Sequence, residues 1–230
     1  MNSMIVQTQR GVTLVGAGPV TPVGLRAALR LAPHLVAADG GADRVLAAGL
    51  MPEAVMGDCD SISAGARARL PAGVLHPIAE QDTTDFDKAL RHIAAPFVLA
   101  VGFAGGRVDH TLGVFNTLVR RADQACFVLS PRDVVFVVPE EVTLRLKPGS
   151  RLSLFPMGAV AGESEGLRWP IGGVGFAPDG AVGVSNEVSA PLVRLRFSAR
   201  RMLVILPRAA LLPAIESRVP GFVRSDALGG

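Results

Sequence analysis

The sequence predicts a mostly parallel, three-layer α/β domain followed by an antiparallel β region, either a sandwich or a small barrel. Three observations carry this expectation. Short apolar runs alternate with helix-like stretches through the first half. After about Asp133 the helices drop out, and short strand candidates follow one another across turn signals such as Lys147-Pro148-Gly149 and Ala177-Pro178-Asp179-Gly180. The apolar runs of the first half also stop at glycine-rich or acidic loops, as strands of an open α/β sheet do.

In order, residues 12–15 read as a buried strand ending in Gly16-Ala17-Gly18-Pro19, and 21–31 as a helix with Leu25, Ala28 and Leu29 on one face. A strand at 34–38 stops at Asp39-Gly40-Gly41; a helix at 42–49 and a strand at 54–56 follow, the latter running into Gly57-Asp58. Residues 63–70 predict a helix and 74–78 a short strand. The helix at 84–93 is well marked: Thr84 is its candidate cap, and Asp85 and Asp87 suit its positive end. A strand at 97–101, a helix at 112–121 and a strand at 125–129 complete the first part. The later strand candidates are 134–138, 142–146, 151–155, 166–169, 181–185, 192–197 and 202–206, with a weakly helical tail at 209–217. The expected domains are residues 1–135 and 136–230.

Composition narrows the class. Apolar residues make up 49 % and charged residues 19 % of the 230, enough for a sizeable core. No apolar run reaches the ~18 residues of a membrane span, and the polar residues 1–10 have no apolar stretch of signal length. Two cysteines, Cys59 and Cys126, make neither a disulfide framework nor a Cys-rich zinc site. A cytoplasmic protein without membrane partners is expected. The net charge is +3, but ten of the twenty acids fall between Asp39 and Asp109 with only six basic residues, so that segment is −4 and the remainder +7. Scattered arginines, no basic run beyond a pair and no aromatic interleaving argue against nucleic acid. The two lysines, Lys88 and Lys147, lie outside any Gly-rich GK[ST] loop, which excludes a P-loop.

Five motifs could carry chemistry. Gly16-Ala17-Gly18 lacks the third glycine of a dinucleotide fingerprint, because Thr21 stands there; it reads as a tight turn or a phosphate approach. Asp39-Gly40-Gly41-Ala42 is either an ordinary turn or a strand-end ligand loop. In Gly57-Asp58-Cys59-Asp60-Ser61 the carboxylates can converge on one hard cation; the competing reading is an Asx turn with a cap at Ser61 or Ser63. Glu80, Asp82, Asp85 and Asp87 crowd the approach to one helix, where Asp85 and Lys88 are neighbours fit for an ion pair or for metal and phosphate. Gly102 to His110 leaves a strand through three glycines, with Arg107 as a phosphate clamp, Asp109 as a further carboxylate and His110 just before a helix. Strand-end loops of a parallel sheet gather at one edge, so the motifs mean more together than singly.

The ordered set ADGGA (Ala38 to Ala42), GDCDS (Gly57 to Ser61), QDTTDFDKAL (Gln81 to Leu90) and GGRVDH (Gly105 to His110), continued by GLRWP (Gly166 to Pro170) and SNE (Ser185 to Glu187), resembles the thiamine pyrophosphokinase family over roughly residues 11–206. The resemblance implies an α/β nucleotide-binding domain followed by a β-sandwich, a homodimer with sites at the subunit interface, and conversion of thiamine and ATP to thiamine diphosphate and AMP with magnesium. It places Asp58, Asp60 and Asp85 on Mg2+ and the ATP phosphates, and adds Asp39 and Asp109 to the catalytic acids. Gly40, Gly41, Gln81, Thr84, Lys88 and Arg107 match positions near ATP; Ser185 and Asn186 match the thiamine-facing loop. The aromatic residue that closely follows this Ser-Asn in some relatives is replaced by Glu187, Val188 and Ser189, so ring stacking comes from elsewhere or is absent; Trp169 is a candidate for it but is expected to pack within the sandwich, and the tail after Pro207 runs past the usual end. The rival expectations are a pyrophosphokinase for another hydroxymethyl heterocycle, such as a pterin, and a non-catalytic nucleotide-binding module.

Overall fold

The computed structural model describes residues 4–80 and 82–222, and the chain divides into two compact units between Val114 and Phe115. The first unit contains β1 (Val6–Gln7), β2 (Val12–Val15), α1 (Pro22–Leu31), β3 (His34–Ala38), α2 (Gly41–Ala47), β4 (Ala54–Gly57), α3 (Ala64–Arg69), β5 (Leu75–Pro77), α4 (Asp85–Arg91), β6 (Ile93–Ala94), β7 (Val98–Val101) and the start of α5 (Val108–Arg120). Its main sheet runs β7-β2-β3-β4-β5 with every pair parallel. β2, β4 and β7 are buried at every residue, as strands covered on both faces must be. The two-residue β1 and β6 pair separately, also in parallel.

Side-chain caps start three helices where the sequence offers hydroxyls. Thr21 accepts from the Gly24 N–H at 3.1 Å, Ser63 from Ala66 at 3.1 Å and Thr84 from Asp87 at 3.3 Å. Of the two serines considered for the third loop, Ser63 is therefore the cap. The α5 start corrects the expected boundary at 112: the helix begins at Val108, so Asp109 and His110 lie in its first turn. Gly105-Gly106 masks this boundary in the sequence, although Asp109 is an ordinary first-turn acid favoured by the helix dipole.

The second unit holds two antiparallel sheets, the expected sandwich. Its strands are β8 (Cys126–Leu129), β9 (Asp133–Val137), β10 (Glu141–Arg145), β11 (Arg151–Pro156), β12 (Val160–Glu165), β13 (Gly175–Phe176), β14 (Gly183–Glu187), β15 (Leu192–Phe197) and β16 (Met202–Pro207), and α6 (Leu211–Arg218) follows. One sheet is ordered β14-β11-β16-β9-β8 and the other β10-β15-β12-β13. Alternation fixes the faces of the second: Val142, Leu144, Val193, Leu195 and Phe197 are buried, while Arg194 and Arg196 reach Glu165 and Glu141 across strands at 2.8 and 3.2 Å on the exposed side.

Two expectations fail here. No strand forms at 166–169, where Leu167 makes only an isolated bridge to Val188. A strand does form at Val160–Glu165, whose Ala, Gly, Ser and Glu residues have poor strand propensity; pairing with β15 overrides it. Among the described residues no helix is long and apolar enough to cross a membrane.

Candidate active site

The carboxyl ends of β2, β3, β4 and β7 lie at one edge of the parallel sheet, and the loops leaving them are bonded to each other. The Asp39 N–H donates to Met56 O at 2.9 Å, Gly16 N–H to Val101 O at 2.8 Å and Gly18 N–H to Gly102 O at 2.9 Å. A Cβ on Gly18 would start 2.5 Å from Gly102 O, and one on Gly102, at φ +77°, would start 2.6 Å from Gly16 O. The two glycine loops therefore need each other bare. Beside them lies a cleft of about 510 Å³ bordered by Asp39, Thr84, Asp85, Arg107 and Asp109.

Asp39 and Cys59 both hold left-handed backbone, at φ +44° and +62°. Such conformations cost energy in non-glycine residues and cluster at functional sites. They turn the loops so that carboxylate oxygens of Asp39, Asp58 and Asp60 lie within 4.8 Å of one another. Asp39 is buried and accepts the Ser61 N–H at 3.3 Å; burial pushes its carboxyl above the ordinary aspartate value of 3.8. Burial works the same way on Asp58, but the Asp60 N–H at 3.4 Å and the Lys88 ammonium outweigh it and hold Asp58 low. Between the acids, burial and the neighbouring Asp39 raise the Cys59 thiol, which removes it as a nucleophile.

Asp85 takes a different partner from the triad. Lys88, one turn on in α4 and almost wholly buried, donates to Asp85 Oδ1 at 3.1 Å and to Asp58 Oδ2 at 3.4 Å. Desolvation alone would lower its pKa, but the two carboxylates raise it, so the ammonium stays charged. Lys88 thus offsets the negative charge that crowding would otherwise make unfavourable.

Arg107 and Asp109 line the same cleft and are clamped together, Nε to Oδ1 at 3.1 Å and Nη2 to Oδ2 at 2.5 Å. The guanidinium holds Asp109 down at about 2. Gly40 borders the cleft, whereas Gly41 has a packing role, since a Cβ there would start 2.0 Å from Val15 O. Gln81 lies outside the described residues. Phe103, which the sequence motif contains without marking, packs with its ring tilted 50° and its centroid 4.6 Å from that of Phe86 of α4, and lines the cleft; no polar pattern could have revealed it.

A family profile described as thiamin pyrophosphokinase, catalytic domain, matches residues 25–129, the span that carries these acids. Over 194 residues the chain is 29 % identical to thiamine pyrophosphokinase 1 of Oryza sativa subsp. japonica, covering 70 % of this chain and 74 % of that one. The chain is similar to thiamine pyrophosphokinases across the span that carries the acidic loops. Thiamine pyrophosphokinase of Bacillus subtilis is 37 % identical over 91 residues, 37 % of this chain and 42 % of its own. The fold is that of yeast thiamin pyrophosphokinase, with a TM-score of 0.74 at 17 % identity over 90 % of each chain.

The second-half motifs GLRWP and SNE sit in the second unit. Ser185 holds the remaining non-glycine left-handed backbone among the described residues, at φ +59°. Asn186 is buried, and its amide is spent on protein: Nδ2 donates to Trp169 O at 2.7 Å, while Oδ1 accepts from the Trp169 and Glu187 N–H groups at 3.3 and 2.8 Å. Trp169, expected inside the sandwich, is instead 52 % exposed, because Asn186 holds its backbone at the surface; the Arg168 guanidinium lies 4.9 Å from its ring centroid.

Proposed function

We propose that the chain transfers the pyrophosphoryl group of ATP to the hydroxyl of thiamine, giving thiamine diphosphate and AMP. The observation that carries this reading is the convergence of Asp39, Asp58 and Asp60, with Asp85 and Lys88 beside them, at the strand-end edge of a parallel sheet in a chain similar to thiamine pyrophosphokinases. A set of carboxylate oxygens with no sulfur or imidazole donor fits a hard cation, and Mg2+ is the cation we assign to it. Asp58 and Asp60 would hold it, with Asp39 and Asp85 completing the acidic wall; bound there, it supplies charge neutralisation on the transferred phosphates.

The remaining work is positioning and electrostatics, which dominate phosphoryl transfer. Gly40, Thr84 and the loops around Gly16 and Gly102 offer backbone to the nucleotide; Gln81, outside the described residues, is assigned to ATP on the sequence resemblance. Lys88 and Arg107 supply positive charge for phosphate oxygens once they turn from their carboxylate partners. Asp109, held at about 2 by Arg107, is a poor proton acceptor, so its role is to orient the guanidinium. In the second unit, Ser185 and the surface ring of Trp169 supply thiamine contacts. A thiazolium cation suits the ring face that Arg168 now covers. We assign nucleotide handling to residues 1–135 and thiamine recognition to residues 136–230. A cytoplasmic homodimer completes the proposal; the exposed Val108 and Leu112, one turn apart on α5, support an interface.

The test is incubation of purified protein with ATP, magnesium and thiamine, with chromatography of the products. Thiamine diphosphate and AMP in equal amounts are expected. ATP binding without AMP formation would establish a non-catalytic module, and turnover only with a pterin alcohol would move the substrate class. Asp60→Asn should cut AMP formation by about 10²-fold or more; unimpaired turnover would remove Asp60 from the metal set.

A further inference from the structure

Ser153 is buried in β11, and no role falls to its own side chain in the reaction proposed above. Its place in the pairing is unusual. Along β11 and β14 the register runs Arg151 to Glu187 and Leu152 to Asn186, then shifts so that Leu154 faces Gly183. Two residues of β14, Val184 and Ser185, therefore stand against Ser153 alone, which makes a β-bulge. Ser185 takes the left-handed backbone there, at φ +59°, and its N–H donates to the Ser153 hydroxyl oxygen at 3.0 Å. That oxygen also accepts from Arg151 Nη1 at 3.3 Å, and Arg151 is in turn paired with Asp133 of β9.

We infer that Ser153 is a positioning residue for thiamine recognition: its buried hydroxyl takes the hydrogen bond that the bulge denies to the ladder, and so fixes Ser185 in the strained conformation that presents its side chain. The inference rests on the thiamine reading of Ser185 given above. A bulge re-aims a side chain only if its freed backbone groups find partners. In β14 the residue beside Ser185 shows the outcome: Asn186 turns inward to brace Trp169, while Ser185 stays exposed. Ser153 and Asn186 thus hold two surface groups from below, Ser185 through its N–H and Trp169 through its backbone.

Ser153→Ala tests this. Loss of one buried hydrogen bond should raise KM for thiamine about five- to tenfold, with KM for ATP and kcat within about twofold. Amide exchange at Ser185 should accelerate in the same variant, whether or not substrate is present. Ser153→Thr, which keeps the oxygen, should return both readouts toward wild type. If Ser153→Ala does not accumulate folded, Ser153→Cys keeps the volume with a weak acceptor and carries the same comparison. Equal rises in both KM values, or a Ser185 amide that exchanges at the wild-type rate, would overturn the inference. A wild-type protein inactive on thiamine would defeat the thiamine reading instead, while the exchange measurement would still decide whether Ser153 holds the loop.

Discussion

The Lys88 ammonium sits 3.1 Å from Asp85 Oδ1, one turn away on the same helix, with almost none of the lysine exposed. The same nitrogen reaches Asp58 at 3.4 Å, so one buried cation joins a helix to the loop after β4. Lys88→Met leaves both carboxylates without that charge. It should destabilise the protein by about 1–3 kcal/mol, read by thermal unfolding without divalent ions. Magnesium should restore more of the melting temperature in this variant than in wild type, because a second cation would then answer the same repulsion. An unchanged melting temperature would show that the acids do not need Lys88.

Asp39 should oppose stability while serving the site. Burial raises its pKa, so the native state holds the proton to higher pH than the unfolded chain does. Its contribution is therefore fully present below the unfolded value of 3.8 and is lost as pH rises through the native value. At neutral pH its charge is a standing cost. Asp39→Asn should raise the melting temperature by a few degrees at pH 7, show no gain near pH 3, and abolish turnover. Asn tolerates the left-handed backbone at φ +44°, so strain does not confuse the result. A melting temperature lowered at neutral pH would contradict the assignment.

Gly41→Ala should not yield the native fold. The new methyl carbon would begin 2.0 Å from Val15 O, a backbone atom at the end of a central strand that cannot move aside. Destabilisation beyond about 4 kcal/mol is expected, visible as loss of soluble protein or of a cooperative melt. Gly65→Ala is the control, because nothing lies within 4 Å of a Cβ there.

Trp169 is the only tryptophan in the chain, so its fluorescence reports on one place. Adding thiamine should quench it, and adding ATP alone should not. Trp169→Ala should raise KM for thiamine about tenfold, with Trp169→Phe closer to wild type. Fluorescence indifferent to thiamine would take the ring out of the substrate contact.

Much of this was legible before any coordinates. The strands ending at Ala38, Gly57 and Val101 announce themselves as apolar runs cut by Asp or Gly, and their parallel order brings Asp39, Asp58, Asp60 and Asp85 to one edge. Thr84 was readable as a cap because capping is local. What escaped was non-local. The strand at Val160–Glu165 exists through its partner β15, and Ser153 meets Ser185 across 32 positions of sequence. Trp169 read as core because it is large and apolar; only the Asn186 amide, 17 residues away, explains why it stays outside. The Arg107–Asp109 clamp joins residues two apart at the start of a helix, a spacing that helix periodicity does not pair.

The bare glycines where the Gly16–Gly18 and Gly102 turns touch have a consequence for anyone who would redesign this cleft. Neither turn can be lengthened or decorated alone, since each occupies the space into which the other's side chain would grow. For engineering they are one part, to be exchanged together or left as they are. Room for a bulkier phosphate donor has to be made elsewhere along the cleft, near Arg107, whose side chain is 71 % exposed, while the guanidinium itself is kept for the phosphates.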